Sequence, residues 1–222
     1  MKLYGSLMSP YARKVRILLG EKGMACAFEV MNVMDPDCPV VQHNPLGKLP
    51  ALLLDNGTAL YDSRVIVEFL DAISTGDRLI PTDPYERSQV RKLEALADGV
   101  VDAGSLLRSE TQRGAALWNE AARLRQTGKI ERGIESIAQI VAEQSWSCLS
   151  RLTLADIAIG CALGWISFRF PDLNWRANHA ALAQYFDRLS MRPAFAGTTP
   201  ADNPALALRQ TMLLPLIADV SI

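Results

Sequence analysis

The sequence predicts an α/β domain followed by an all-α helical domain. Strand-like and helical segments alternate near the start, an Asp55-Asn56-Gly57 turn joins two short apolar runs, and beyond residue 86 every apolar pattern has helical spacing.

Lys2-Leu3-Tyr4-Gly5 reads as a first strand. Ser9-Pro10 then supplies an N-cap and a proline at the first helical position, Val15, Leu18 and Leu19 recur at helical spacing, and Lys22-Gly23 closes the helix. The β-prone run 28–33 completes a β-α-β unit whose two strands should be parallel and joined by a right-handed crossover. Runs 51–54 and 58–60 flank the Asn-Gly turn as a hairpin, and a helix is expected over 63–72. Composition changes sharply over 74–83, where proline and glycine gather. We place a first domain at residues 1–75, a linker at 76–85 and a helical domain at 86–222.

Two amphipathic helices are expected over 86–113 and 115–144, broken at Gly114. The segment 154–163 is apolar on nearly every face and should run through the centre of the second domain. Thr153 as N-cap with Asp156 three residues on resembles a capping box, and Leu152 with Ile157 supplies the hydrophobic staple. Leu182, Tyr185, Phe186 and Leu189 form a further amphipathic helix that Pro193 ends.

Composition narrows the function classes. Lys plus Arg number 23 against 24 Asp plus Glu, a net charge of −1, which leaves no electrostatic footprint for nucleic acid or an anionic membrane. Small molecules or other subunits are the expected partners. Met1 to Pro10 lacks a charged-then-apolar export pattern and no apolar run nears the ~20 residues of a membrane helix, so a cytoplasmic protein is expected. Cys26, Cys38, Cys148 and Cys161 form no Cys-x-x-Cys pair, and His43 and His179 lack ligand spacing, so reduced thiols and no metal are expected.

The chemistry concentrates in three places. Ser9 caps a helix that follows the first strand, and such an end offers unpaired N–H groups and partial positive charge, suited to a thiolate. Lowering a thiol pKa from ~8.5 by two units needs about 2.7 kcal/mol; a hydrogen bond to the anion contributes ~1.5–3 and the helix end ~0.3–1 kcal/mol. A serine nucleophile is the competing role, but no Gly-x-Ser-x-Gly elbow or histidine with an acid partner accompanies it.

The second place is Asn44-Pro45-Leu46-Gly47-Lys48-Leu49-Pro50, where a cis bond before Pro50 would expose the backbone of Leu49 for strand-like pairing. The third is Asp62-Ser63: a ligand carboxylate would sit at the Ser63 helix start and a ligand ammonium at Asp62, while Lys48 would take a second carboxylate. Each has a purely structural alternative as cap, loop residue or solvated lysine. Together they suit a small peptide thiol with a zwitterionic end.

At this point the chain resembles the cytosolic glutathione transferase family, which pairs a thioredoxin-like N-terminal domain with an all-α C-terminal domain. The likeness rests on Ser9-Pro10-Tyr11, the Asn44 to Leu52 segment, Asp62-Ser63, the Leu152 to Ile157 capping segment and Arg192-Pro193-Ala194-Phe195, and it spans nearly the whole length. It implies a serine-type, theta/zeta-like bacterial member in which Ser9 activates glutathione. Leu49 would pair with the cysteinyl backbone, Asp62 and Ser63 would hold the γ-glutamyl end, and Lys48 would meet the glycine end. Pro50, Thr153 and Asp156 would be structural. Two positions depart from the pattern: Asp62 stands where glutamate is usual, and Ser9 stands where disulfide-handling relatives carry cysteine, so mixed-disulfide chemistry lacks its nucleophile.

The resemblance therefore implies conjugation or isomerisation of a small hydrophobic electrophile, with glutathione as co-substrate and a symmetric homodimer as the assembly, in the cytoplasm and in detoxification. The second substrate is expected between the domains, near Met8, Tyr11 and the first long helix at Asp98, Asp102 or Leu106. The alternative is an interaction protein on the same fold, resembling the stringent starvation proteins, with little catalysis. The apolar tail 203–222 is expected to flap over the cleft or to dock elsewhere.

Overall fold

A computed structural model describes residues 1–142 and 145–201; the tail 203–222 lies outside the described residues. A four-stranded mixed sheet opens the fold, built from β1 (Lys2–Gly5), β2 (Ala27–Val30), β3 (Ala51–Leu53) and β4 (Ala59–Leu60) in the order β2-β1-β3-β4. β1 pairs parallel with β2, Lys2 opposite Ala27, as a β-α-β crossover requires. On its other side β1 runs antiparallel to β3, with Leu3 opposite Leu52, and β3 turns back into β4. β2 stops at Val30, short of the expected Val33, because Asn32 bends the chain: its side-chain oxygen accepts the N–H of Met34 at 3.0 Å.

Helices α1 (Pro10–Glu21) and α2 (Ser63–Ile73) pack on each other and bury Val15, Leu18, Ile66 and Leu70 with Leu3 and Leu52 of the sheet. This is a thioredoxin-like domain. The helical domain follows as α3 (Pro84–Thr111), α4 (Glu120–Val141), α5 (Leu154–Arg169), α6 (Trp175–Asn178), α7 (Ala180–Ser190) and α8 (Pro193–Ala196). α3 starts two residues before the expected 86 because Asp83 caps it, accepting the Glu86 N–H at 2.9 Å ahead of Pro84. Gly114, at φ +86°, breaks the path after α3, and the chain makes one 3₁₀ turn (Ala115–Leu117) before Asn119 caps α4.

α5 is the central helix, with every residue from Leu154 to Ile166 buried. Thr153 and Asp156 form a capping box at its start. The Asp156 carboxylate is wholly enclosed and accepts four donors: the Thr153 N–H (2.8 Å), the Thr153 hydroxyl (2.8 Å), the Ser147 N–H (2.7 Å) and the Tyr185 hydroxyl (2.7 Å). Burial, then the Asp156 charge, pushes the Tyr185 phenol well above its ordinary pKa, so it stays a donor. Among the described residues no single helix is long and apolar enough to cross a membrane.

The interval between α2 and α3 is no loose tether. Asp71, buried at the end of α2, accepts the N–H groups of Leu79 and Ile80 at 2.9 and 3.0 Å and pairs with Lys22 at 2.9 Å. The Leu79 carbonyl in turn accepts the Leu154 N–H at 3.0 Å, tying this interval to the start of α5. A second tie is ionic. Lys14 of α1, almost wholly buried, donates to Glu94 (3.0 Å) and Asp98 (2.8 Å) of α3, while Arg192 grips Glu21 through two bonds of 2.8 and 2.6 Å. Such pairs contribute little to net stability once desolvation is counted, but removing one partner strands a buried charge, so they fix how the two domains dock.

Candidate active site in the interdomain cleft

A cavity of about 1100 Å³ lies in the cleft, and Ser9, Lys48, Leu49, Pro50, Asp62 and Ser63 all line it. Thr153 and Asp156 lie elsewhere, in the helical core. The cleft wall is best read through its hydrogen bonds, because the first N–H groups of a helix have no intrahelical acceptor.

At the start of α1, Ser9 donates its N–H to Ser6 (3.2 Å), its hydroxyl oxygen accepts the Ala12 N–H (3.2 Å), and its carbonyl accepts the Arg13 N–H (2.9 Å). Pro10 has no N–H. The Tyr11 N–H is left without a partner among the described residues, and the Ser9 hydroxyl, which only accepts, retains its proton for donation. Two donors at a positive helix end therefore face no acceptor among the described residues.

The loop before β3 is clamped by Asn44, a buried side chain whose amide donates to the Lys48 carbonyl at 2.9 Å while its oxygen accepts the Leu46 N–H at 3.1 Å. Gly47 closes the turn at φ +63°, a conformation that suits residues without a Cβ. The Leu49–Pro50 peptide bond is cis, as is Tyr61–Asp62. No hydrogen bond engages the Leu49 backbone among the described residues, and the exposed Lys48 makes no ion pair among them.

At α2 the helix begins at Ser63 and Asp62 is its N-cap, one carboxylate oxygen accepting the Arg64 N–H at 2.9 Å. Asp62 is thus partly committed to the protein. Its second oxygen lies 3.9 Å from the Arg64 guanidinium, which also reaches Asp98 at 3.4 Å. The Ser63 N–H and hydroxyl have no partner among the described residues.

The helical domain supplies the opposite wall through Asp102, Ser105 and Arg108 of α3, Gln112 at its C-cap, and Trp165 and Arg169 of α5. Met8 and Tyr11 line the cavity as expected, and the Tyr11 hydroxyl donates to Asp102 across the cleft. Burial first, then that hydrogen bond, raises the Tyr11 phenol far above its ordinary pKa and keeps it protonated. Two expected neighbours of the second substrate are displaced. Asp98 is plugged by Lys14, and burial raises its carboxyl above the usual range. Leu106 is exposed outside the cavity: it sits about 40° past Asp102, on the side away from Ser105 and Arg108, just beyond the edge of the lining stripe. Gly104 makes room for Trp165: a Cβ there would lie 2.6 Å from the indole ring.

Family models describing the N-terminal and C-terminal domains of glutathione S-transferase match residues 3–78 and 120–188. The chain belongs to the glutathione S-transferase family. It is 39% identical over 202 residues to the uncharacterised GST-like protein YibF of Escherichia coli strain K12, covering 90% of this chain and 98% of that one. A solved glutathione S-transferase from Methylobacillus flagellatus, with glutathione bound, is 41% identical at TM-score 0.88, covering 90% of this chain and 99% of that one. A family member from Pseudomonas fluorescens, with S-(propanoic acid)-glutathione bound, is 40% identical at TM-score 0.81, covering 91% of this chain and 100% of that one.

Several residues of this glutathione S-transferase site carry no local signal in the sequence. Asn44 looks like turn punctuation until its two bonds are seen, and Arg64, Trp165 and Arg169 meet the cavity only through tertiary docking. Arg108 had a findable signal: Asp102, Ser105, Arg108 and Gln112 form a polar stripe opposite the buried Ala103 and Leu107. All four cysteines are free thiols, and no group of three His, Cys, Asp or Glu side chains gathers among the described residues.

Proposed function

We propose that this chain is a glutathione transferase that holds glutathione along the α/β wall of the cleft and presents its sulfur to a small electrophile. The supporting observation is that the donors left open at the starts of α1 and α2, together with the unpaired Leu49 edge, all border one cavity. The sulfur sits at the start of α1, where the Ser9 hydroxyl donates to the thiolate and the Tyr11 N–H adds a second donor. The cysteinyl backbone pairs with Leu49 in the manner of a short added strand. The γ-glutamyl carboxylate takes the Ser63 N–H and hydroxyl, its ammonium takes the uncommitted oxygen of Asp62, and Lys48 meets the glycine carboxylate.

Catalysis follows from lowering the thiol pKa while orienting the sulfur. At neutral pH a larger fraction is thiolate, the proton having already passed to solvent; its lone pair forms the carbon–sulfur bond as the electron pair of the bond broken at that carbon departs with the leaving group or, in an activated alkene, shifts to the adjacent atom that then takes a proton from solvent. The bound S-(propanoic acid)-glutathione in the Pseudomonas fluorescens relative, itself a thioether, supports conjugation over isomerisation. Ser9 acts as a hydrogen-bond donor and forms no covalent intermediate. The reading carries with it a cytoplasmic homodimer.

Calorimetry with glutathione tests it, paired with turnover of 1-chloro-2,4-dinitrobenzene. Submillimolar binding with turnover above the uncatalysed rate is expected. Binding weaker than millimolar with no turnover would instead favour an interaction protein on this fold.

A further inference from the structure

We infer that the second substrate is an acid: it carries an anionic group, a carboxylate or its equivalent, away from the reacting carbon, and Arg108 receives it. This rests on the glutathione reading above, which places both glutathione carboxylates on the α/β wall at Lys48 and Ser63. The opposite wall has no such carboxylate to neutralise, yet the Arg108 guanidinium lines it, together with the acid Asp102. Asp102 already accepts the Tyr11 hydroxyl.

Arg108 differs from the other half-buried arginines of this chain. Arg192 is paired with Glu21 and Arg91 with Glu68 and Glu94, and Arg16 and Arg151 donate to backbone carbonyls, whereas Arg108 lines the cavity and has no carboxylate within ion-pair distance among the described residues. Its neighbour is Gln112, one turn on along α3. With its amide oxygen turned toward Arg108, Gln112 accepts from the two terminal guanidinium nitrogens at 2.7 and 3.3 Å. That contact occupies the end of the guanidinium and fixes its plane without cancelling its charge, and the Nε edge, with no partner among the described residues, is a held planar fork of the kind that takes a carboxylate through two parallel bonds.

Beside Ser105 and Asp102, the wall between this cation and the start of α1 also offers apolar surface. Trp165 is buried against the space that Gly104 leaves open, and Met8 lines the same cavity, its sulfur 2.6 Å from the Arg169 guanidinium. A ligand complementary to that order has an electrophilic carbon at one end, an apolar middle and an anion at the far end. The product would be a thioether with three acidic groups, two from glutathione and one from the acceptor.

The test uses two conjugates of equal size, S-(4-carboxybenzyl)glutathione and S-(4-carbamoylbenzyl)glutathione, titrated by calorimetry beside glutathione itself. At least tenfold tighter binding of the carboxylate is expected for the native protein. In Arg108→Gln that advantage should vanish through weaker binding of the carboxylate conjugate alone, and Arg108→Lys should restore part of it; thermal melts of each variant check folding. Equal affinities for the two conjugates in the native protein, or an advantage that survives Arg108→Gln, would overturn the inference while glutathione binding leaves the parent reading standing. If glutathione and both conjugates fail to bind, the parent reading has failed and takes this one with it.

Discussion

Two helix starts in this molecule look alike in sequence and differ in what they do with their donors. Thr153 opens α5 and Ser9 opens α1, each a hydroxyl residue in extended conformation. At α5 the cap and the helix's first N–H are spent inside the core. Asp156 takes the Thr153 N–H, the Leu79 carbonyl takes the Leu154 N–H, and the Thr153 carbonyl takes the Ile157 N–H. At α1 the Tyr11 N–H and the Ser9 hydroxyl proton stay unspent beside a cavity. Satisfied ends build cores and unsatisfied ends that line a cleft receive ligands, a distinction set by what packs around the cap.

The comparison can be broken most forcefully at α5. Asp156→Ala leaves four buried donors without an acceptor, and denaturant unfolding should show a loss of about 3–5 kcal/mol. A loss under about 1 kcal/mol would show that these bonds do not close that helix end. Next comes α1, where Ser9→Ala should cost only ~1 kcal/mol of stability but raise the bound thiol pKa enough to lower turnover at neutral pH roughly 10–100-fold. The ultraviolet thiolate band of the glutathione complex reads this directly, and an unchanged band would remove Ser9 from the mechanism. The mildest change is at α2. Asp62→Asn keeps the oxygen that caps Arg64 and removes only the charge, so stability should stay within about 0.5 kcal/mol while glutathione affinity drops about tenfold. If stability falls and affinity does not, Asp62 is a cap and nothing more.

The same contrast explains which features were legible in the sequence. Local grammar announced Ser9-Pro10, the Pro50 turn and Thr153 with Asp156, because caps and turns are written within a few residues. It also placed the strands and helices to within a few positions, missing where Asn32 ends β2 and where Asp83 starts α3. The far wall was hidden. Apolar periodicity reports that α3 has a polar face but not what that face meets, so Arg108 and Gln112 stayed anonymous while Leu106 was wrongly drawn into the site. Nor does any local rule reveal that Lys14 would occupy Asp98, because the two are brought together only when the domains dock.

Asp71 bears on any attempt to study the glutathione-binding half by itself. A cut at the apparent boundary near residue 75 would remove Leu79 and Ile80, whose amides the carboxylate holds, and leave Lys22 as its principal partner. The excised half would then end in a frayed α2 with a wetted acid at its tip. The smallest fragment with a chance of independent folding must run through Ile80, and even that one exposes the Leu79 carbonyl that α5 normally covers.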